Sequence, residues 1–357
     1  MEIKVNSGDY VRFNLAKKQI EGIVLESYDK SVVLLKLISG YNIGIPHENI
    51  LGYKVLKKFK EENDEEEKIT FEKGKKTIGL IVTGGTIASK LNPRTGGVSP
   101  LTSVADFKKF YPRVFEKCNV KISSPFMELS ENMADEHWKK IAEECGKFLN
   151  DSNINGVIIT HGSDTLHYTA AALSFFLRNL NKPVVLTFSQ RSIDRASSDA
   201  ELNLDCAVQF ALSDCAEVVI VGHATSDDDF CYALRGTKVR KMHSSRRDTF
   251  KAINCLPLAK VWLDKLEFLG MRRPRNNDKT ELDLSFSDRI ALVKFYPGQD
   301  SEILNYYKEK GFKGVVIEMT GLGHVSVDWI FTLKKIIKDG MVVCAAPQTI
   351  YGRLNPK

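Results

Sequence analysis

The feature that most constrains this chain is a set of short apolar runs with no polar alternation, separated by stretches of helical spacing. Ile78-Gly79-Leu80-Ile81-Val82, Gly156-Val157-Ile158-Ile159, Pro183-Val184-Val185-Leu186 and Val218-Val219-Ile220-Val221 are the clearest. A strand that shows apolar side chains on both faces needs cover on both, so these runs imply a parallel sheet between helical layers. The helices expected among them are Asp135 to Leu149, His167 to Leu180 and Ser198 to Leu212. After a polar stretch around Met271 to Ser285 the pattern returns more briefly, in Ile290 to Val293, Val315 to Ile317 and Met341 to Cys344. That shorter series predicts a second, smaller α/β unit.

The first 55 residues read differently. Gly8 to Phe13 alternates, Gln19 to Leu25 does so less strictly, and Ser31 to Leu37 and Asn42 to Ile45 follow between Gly and charged turns. A small β-barrel of the SH3 or Tudor type is the natural fold. Without a catalytic constellation, it reads as a docking or spacing module. Residues 56–76 hold the acidic run Glu61-Glu62-Asn63-Asp64-Glu65-Glu66-Glu67, whose like charges repel and resist burial, so a solvated linker is expected there. The fold class is therefore α/β: a barrel over residues 1–55, a large domain over 77–265 and a smaller one over 286–357.

Composition excludes more than it selects. No apolar stretch approaches the roughly 20 residues of a membrane helix, and Met1 to Asn6 lacks a signal-peptide core. A cytoplasmic protein with no membrane partner is expected. The seven cysteines are an odd, scattered set without a C-x-x-C pair, which suits reduced, mostly buried thiols rather than a disulfide framework or a zinc site. A net charge of +6 tolerates a nucleic-acid partner without requiring one.

In open parallel sheets, ligands sit beyond the carboxyl ends of the strands. Thr83-Gly84-Gly85-Thr86-Ile87-Ala88-Ser89 follows the first apolar strand, and Thr160-His161-Gly162-Ser163-Asp164-Thr165 follows the second. Paired glycines allow a tight turn and leave N–H groups free for a developing oxyanion. The first motif fits neither G-x-x-x-x-G-K-[ST] nor G-x-G-x-x-G, which disfavours a nucleotide site. Its competing explanation is a turn that merely joins two elements. In the second motif, Ser163 or Asp164 competes as a simple helix cap. A metal set of His161, Asp164 and His167 would need one shared face, which the intervening glycine breaks; His167 reads instead as a packed histidine. A hydroxyl nucleophile also needs a proton acceptor. Lys241, within Arg240-Lys241-Met242-His243-Ser244-Ser245-Arg246-Arg247-Asp248, is either part of a solvated basic face or a pocket lysine able to act as a base. The residues alone leave both open.

From Thr77 to the C-terminus these segments together resemble the bacterial-type L-asparaginase and amidase family, in which T-G-G-T-I-A and H-G-S/T-D-T occur in this order. Leu129 to Met133, Gln190 to Ser192, Arg240 to Phe250, Gly321 to His324 and Tyr351 to Arg353, with the barrel and charged linker, look more like one branch. That branch comprises the D subunits of archaeal glutamyl-tRNA(Gln) amidotransferases. The resemblance implies that Thr86 attacks the side-chain amide carbon of glutamine, or of asparagine. Ser163, Asp164 and Lys241 would form a second hydroxyl–carboxylate–lysine group, with Lys241 assisting proton transfer and Asp164 binding the substrate ammonium. Ser130 and Glu131 would hold the α-carboxylate and amino ends, and Gly85 and Gly162 would line the substrate. It implies no metal or cofactor in this chain. Ammonia would pass to a partner E subunit that binds glutamyl-tRNA(Gln) and uses ATP and Mg, in a heterotetramer built on a homodimer of this chain.

Three departures accompany it. Ser163 stands where the family has threonine, and loses the methyl that restricts the rotamer. Pro93 stands where the family shows a tyrosine, and has no ionisable group to polarise Thr86; slow turnover, or help from a residue elsewhere, is expected. The chain ends at Lys357, where the family continues through further helices, so the smaller domain is expected to be truncated. A free-standing cytoplasmic L-asparaginase and a catalytically weakened binding subunit are the alternatives.

Overall fold

This computed structural model describes residues 3–27, 29–59, 71–91, 98–101 and 103–355. They divide into two compact units, residues 1–252 with 257–283, and residues 253–256 with 284–357.

The first unit begins with strands Tyr10–Asn14, Gln19–Leu25, Val32–Lys36, Asn42–Pro46 and Gly52–Lys57, paired antiparallel in the order 4-3-2-1-5. Alternation works as expected: Val11 and Phe13 point into a core with Val24, Val33, Leu35, Ile45 and Ile50. Gly52–Lys57 is a strand that the sequence pattern does not set apart, because its lysines look like the start of the charged linker. It pairs with Tyr10–Asn14 and runs to Lys57. The acidic run Glu61 to Glu67 lies outside the described residues.

An eight-stranded sheet follows. Its parallel part is ordered Asn119–Ser123, Thr77–Val82, Ile154–Thr160, Val184–Thr187, Val218–His223. In chain order this is 2-1-3-4-5. Asn119–Ser123 is a half-buried edge strand with burial that alternates, which is why only the fully apolar runs stood out in the sequence. Beyond Val218–His223, the strands Cys231–Arg235, Ala259–Val261 and Leu266–Phe268 extend the sheet antiparallel. The expected parallel sheet is thus mixed.

Helix Asp135–Leu149 has the bounds its periodicity implies, and buries Ile141, Ala142, Cys145, Phe148 and Leu149. Helix Leu166–Phe176 stops short of Leu180, because Leu177–Arg178 turns into a two-residue strand against Glu281–Leu282. Helix Ala200–Ala211 packs Leu204, Ala207, Val208 and Ala211 into the main core with Val185, Val219 and Val221. All seven cysteines are free thiols, five of them buried. No helix among the described residues is long and apolar enough to cross a membrane.

The second unit is a three-stranded parallel sheet, Ile290–Lys294, Gly314–Met319, Val342–Pro347, with helices Glu302–Glu309 and Val327–Lys338. Trp329 is fully buried beside Phe295, with ring centroids 5.2 Å apart, and its indole N–H donates to the Gln299 carbonyl at 2.9 Å. Gly321 to His324 forms a turn closed by the Thr320 N–H on the His324 carbonyl at 3.0 Å.

Candidate active site

The strand order 2-1-3-4-5 reverses between Thr77–Val82 and Ile154–Thr160, and loops leaving such a switch point splay apart to leave a crevice. The two polar motifs are the loops that leave these two strands. They are stitched together at their bases, where Thr83 donates both N–H (3.2 Å) and hydroxyl (2.8 Å) to the Thr160 carbonyl. Gly85, at φ 83°, then brings the first loop onto the second: a Cβ there would lie 2.5 Å from the His161 carbonyl carbon and 2.6 Å from Gly162 N. Only glycine allows that approach. Thr86 comes next, half-buried at the head of the short turn Thr86–Ala88. Among the described residues nothing hydrogen-bonds its hydroxyl.

A third loop closes on the second at Gly162, where a Cβ would meet the Ser130 Cβ and Oγ at 2.7 Å. Thr165 Oγ1 donates to the Ser130 carbonyl at 2.5 Å, and the Glu128 N–H reaches the Thr83 carbonyl at 3.0 Å. Ser130 is buried there; Glu131 is exposed and bonds to none of the other candidate residues among those described. Neither Ser163 nor Asp164 caps the following helix: Thr165 occupies the N-cap position, with no side-chain cap bond.

Ser163 and Asp164 meet Lys241 instead. Lys241 Nζ donates to Ser163 Oγ at 2.9 Å and to Asp164 Oδ1 at 2.7 Å. Its side chain is only 9% exposed, whereas that of Asp164 is 65% exposed. The solvated-face explanation of Lys241 therefore fails: its ammonium is held between a hydroxyl and a carboxylate. A cavity of about 380 Å³ opens beside this group, lined by Asp164, His167, Tyr168, Arg240, Lys241, Met242, His243 and Ser244. That is the size range of small-molecule sites, about 300–1,000 Å³.

His161 of the motif and His167 of the helix after it are structural. His161 is fully buried, and burial pushes its pKa down to about 4. Its Nδ1 donates to the Gly162 carbonyl at 2.7 Å, which assigns the proton and leaves Nε2 to accept from Thr169 Oγ1 at 2.9 Å. Trp138 Nε1 completes the chain by donating to Thr169 Oγ1 at 3.0 Å. With both ring nitrogens engaged, His161 has none for a metal, and His161, Asp164 and His167 form no ligand set among the described residues. His167 packs against Tyr168 and Phe250. Burial, then the charges of Arg240 and Lys241, lower its pKa to about 4.

Residues 77–273 match the family described as Asparaginase, N-terminal; residues 289–357 match the Glutaminase/Asparaginase C-terminal domain, and residues 5–56 the GatD N-terminal domain. The D subunit of the glutamyl-tRNA(Gln) amidotransferase of Pyrococcus furiosus is 46% identical over 98% of this chain and 82% of its own length. The D subunit of Thermococcus kodakarensis is 47% identical over 94% of this chain and 78% of its own. The chain belongs to the family of glutamyl-tRNA(Gln) amidotransferase D subunits. Two L-asparaginase structures share its fold. The thermostable enzyme of Thermococcus kodakarensis superposes with a TM-score of 0.67 at 27% identity, covering 78% of this chain and 82% of its own. L-asparaginase I of Vibrio cholerae gives 0.68 at 25%, covering 80% and 84%. The D-subunit fold thus carries an asparaginase-type amidohydrolase domain behind a small antiparallel β domain.

Pro93 lies outside the described residues. A tyrosine does reach the Thr86–Ala88 turn from elsewhere: Tyr111, buried, donates its hydroxyl to the Ile87 carbonyl at 2.6 Å. Burial, then Asp199 and Glu201, hold its pKa well above the usual value, so it braces the turn rather than accepting a proton. A second support was equally hidden in the sequence. Asp199 sits where a helix cap is expected, yet its carboxylate accepts the Gln190 N–H at 3.0 and 2.9 Å and the Arg191 N–H at 3.0 Å. It fixes the loop that leaves strand Val184–Thr187.

Proposed function

We propose that this chain hydrolyses the side-chain amide of glutamine or asparagine. The ammonia would go to a partner E subunit, which amidates glutamyl-tRNA(Gln) using ATP and Mg bound on that partner. The observation that carries the reading is the Ser163–Asp164–Lys241 group, on the loop that the glycine preceding Thr86 touches at His161 and Gly162. In this reading the Thr86 hydroxyl attacks the amide carbon, and its proton travels through the Lys241 group to the departing nitrogen. The C–N bond breaks, ammonia leaves, and water then cleaves the ester on Thr86. Asp164, largely exposed, is suited to take the substrate ammonium, and Ser130 to take the carboxylate. A cytoplasmic heterotetramer built on a homodimer of this chain fits such a division of labour.

A second assignment has one observation in its favour. Lys241 donates directly to the Ser163 hydroxyl, so the group that relays protons in this reading is in contact with that hydroxyl. Thr86→Ala and Ser163→Ala decide between them. Loss of about a thousandfold or more in hydrolysis with Thr86→Ala, and an ester intermediate still trapped in Ser163→Ala, supports Thr86; the opposite pattern supports Ser163. The broader reading is tested by ammonia release from glutamine and asparagine, with and without the partner and glutamyl-tRNA. Equal release under all conditions would sink it in favour of a free-standing asparaginase. Unimpaired tRNA amidation by Thr86→Ala and Ser163→Ala alike would favour the binding subunit.

A further inference from the structure

Lys241 lies on a hairpin whose returning strand is seated by Phe250, buried against Phe188 and His167. Its strands, Val239–Lys241 and Phe250–Ala252, pair only with each other and form a sheet separate from the eight-stranded one. An isolated two-stranded ribbon is marginal in water; Phe250 and the Lys251 bond to the Ala224 carbonyl at 3.3 Å hold its returning strand, and the turn that follows Lys241 gains from a further anchor. Arg247, in the turn of the same hairpin, has the geometry of one. Its Nη1 donates to Asp228 Oδ1 at 2.8 Å and to the Ser226 carbonyl at 3.3 Å, and its Nη2 to the Ser197 carbonyl at 2.6 Å. The side chain is 11% exposed, against 57% for the neighbouring Arg246, which pairs only within the hairpin, to Asp248.

The far ends of these bonds are tied into the large domain, although Asp228 is itself 64% exposed. Asp228 Oδ1 also meets His223 Nε2 at 2.9 Å, and His223, fully buried at the end of a parallel strand, bonds through Nδ1 to Asn203 Oδ1 at 2.6 Å. Asn203 belongs to helix Ala200–Ala211 and donates to the Phe188 carbonyl at 2.9 Å. Ser197 lies in the loop that Asp199 fixes. A planar fork with donors in fixed directions can join two such loops at once; an ammonium in its place cannot.

We propose that Arg247 is a positioning residue for the amide-hydrolysing site: it pins the Lys241 hairpin to the loops after Phe188 and after His223, and so holds Lys241 between Ser163 and Asp164. The proposal rests on the functional reading above. The test compares kcat, KM and the pH dependence of kcat for amide hydrolysis by the full chain with its partner. Arg247→Met is expected to lower kcat about 10- to 100-fold, as misplacement of a catalytic group does, with KM changed less than about threefold. The shape of the pH dependence of kcat should change as well. Arg247→Lys should retain the fold and recover only part of the rate, and Arg246→Met should behave as the unsubstituted chain. Wild-type kcat and pH profile in Arg247→Met overturn the proposal, as does an equal loss in Arg246→Met. A rate in Arg247→Lys that falls only as its folded fraction falls also overturns it, and keeps the test decisive where Arg247→Met does not fold. If Lys241→Met and Thr86→Ala keep full hydrolysis, the functional reading fails instead, whatever Arg247 does.

Discussion

Asp205 is a buried carboxylate that the site does not use. It is 1% exposed within helix Ala200–Ala211, and its Oδ2 has no hydrogen-bond partner among the described residues. The cation Arg113 stands 3.9 Å away and is itself 54% exposed. Burial pushes the Asp205 pKa up to about 6, with Lys117 and Arg113 only partly opposing. Between the unfolded value near 4 and about 6 the folded state holds a proton that the unfolded state has released. The group therefore favours folding at low pH and loses that contribution as pH rises through about 6. Asp205→Asn, which stays neutral, is expected to raise the melting temperature by a few degrees at about pH 7.5 and to change it little near pH 4. Thermal melts at the two pH values check this; equal shifts at both would contradict it.

At the scale of elements, the small β domain is fastened to the site loops by charge. Lys36, on strand Val32–Lys36, donates to Asp194 at 2.7 Å, with side chains only 12% and 20% exposed. Burial raises the Asp194 pKa, but the bonds from Lys36 and Ser192 outweigh it and leave the carboxyl below its usual value. Arg195 stacks over Tyr41 at 5.5 Å. Lys36→Met strands the carboxylate and should cost about 1–3 kcal/mol in denaturant unfolding, with the double variant Lys36→Met/Asp194→Leu recovering part of it. An unchanged midpoint in Lys36→Met would contradict this. Elements differed in how plainly the sequence showed them. Asp135–Leu149 was legible because its apolar residues fall on one stripe. Ala259–Val261 and Leu266–Phe268, with three residues each, are too short to carry a period. The Lys241 hairpin was illegible because a run of basic residues looks like solvent-exposed chain until the Ser163 and Asp164 contacts bury its lysine.

For the whole molecule, His161 and His167 set an acid limit. Both have folded pKa values of about 4, mainly through burial, against roughly 6.5 unfolded. The stability they contribute is full above about pH 6.5 and is lost as pH falls through about 4, because only the unfolded chain takes up their protons in between. Unfolding midpoints measured across that range should fall with pH, and His167→Phe should flatten the fall; a midpoint independent of pH from about 7 to 4 would refute the assignment. The site itself was half legible. Motif order pointed to Thr86, Ser163 and Asp164, only the family resemblance pointed to Lys241, and the switch point explains why two loops distant in sequence meet. Tyr111 and Asp199 stayed hidden because their work is done through backbone groups that side-chain patterns do not encode, and Arg247 because its partners, Asp228 and two carbonyls, are distant in sequence.

The switch point has a practical consequence for redesign. Its two loops are rooted in neighbouring paired strands; Gly85 presses the first onto the second, and Gly162 presses the second onto Ser130, with no room for a side chain at either. Changing the length of either would shift Thr86 relative to the second loop. The hairpin turn 242–249, by contrast, meets the pocket from outside the ladder and carries no strand of the large sheet. Libraries aimed at accepting a longer or shorter amide should therefore vary Met242, His243 and Ser244 and leave the sheet-borne loops untouched.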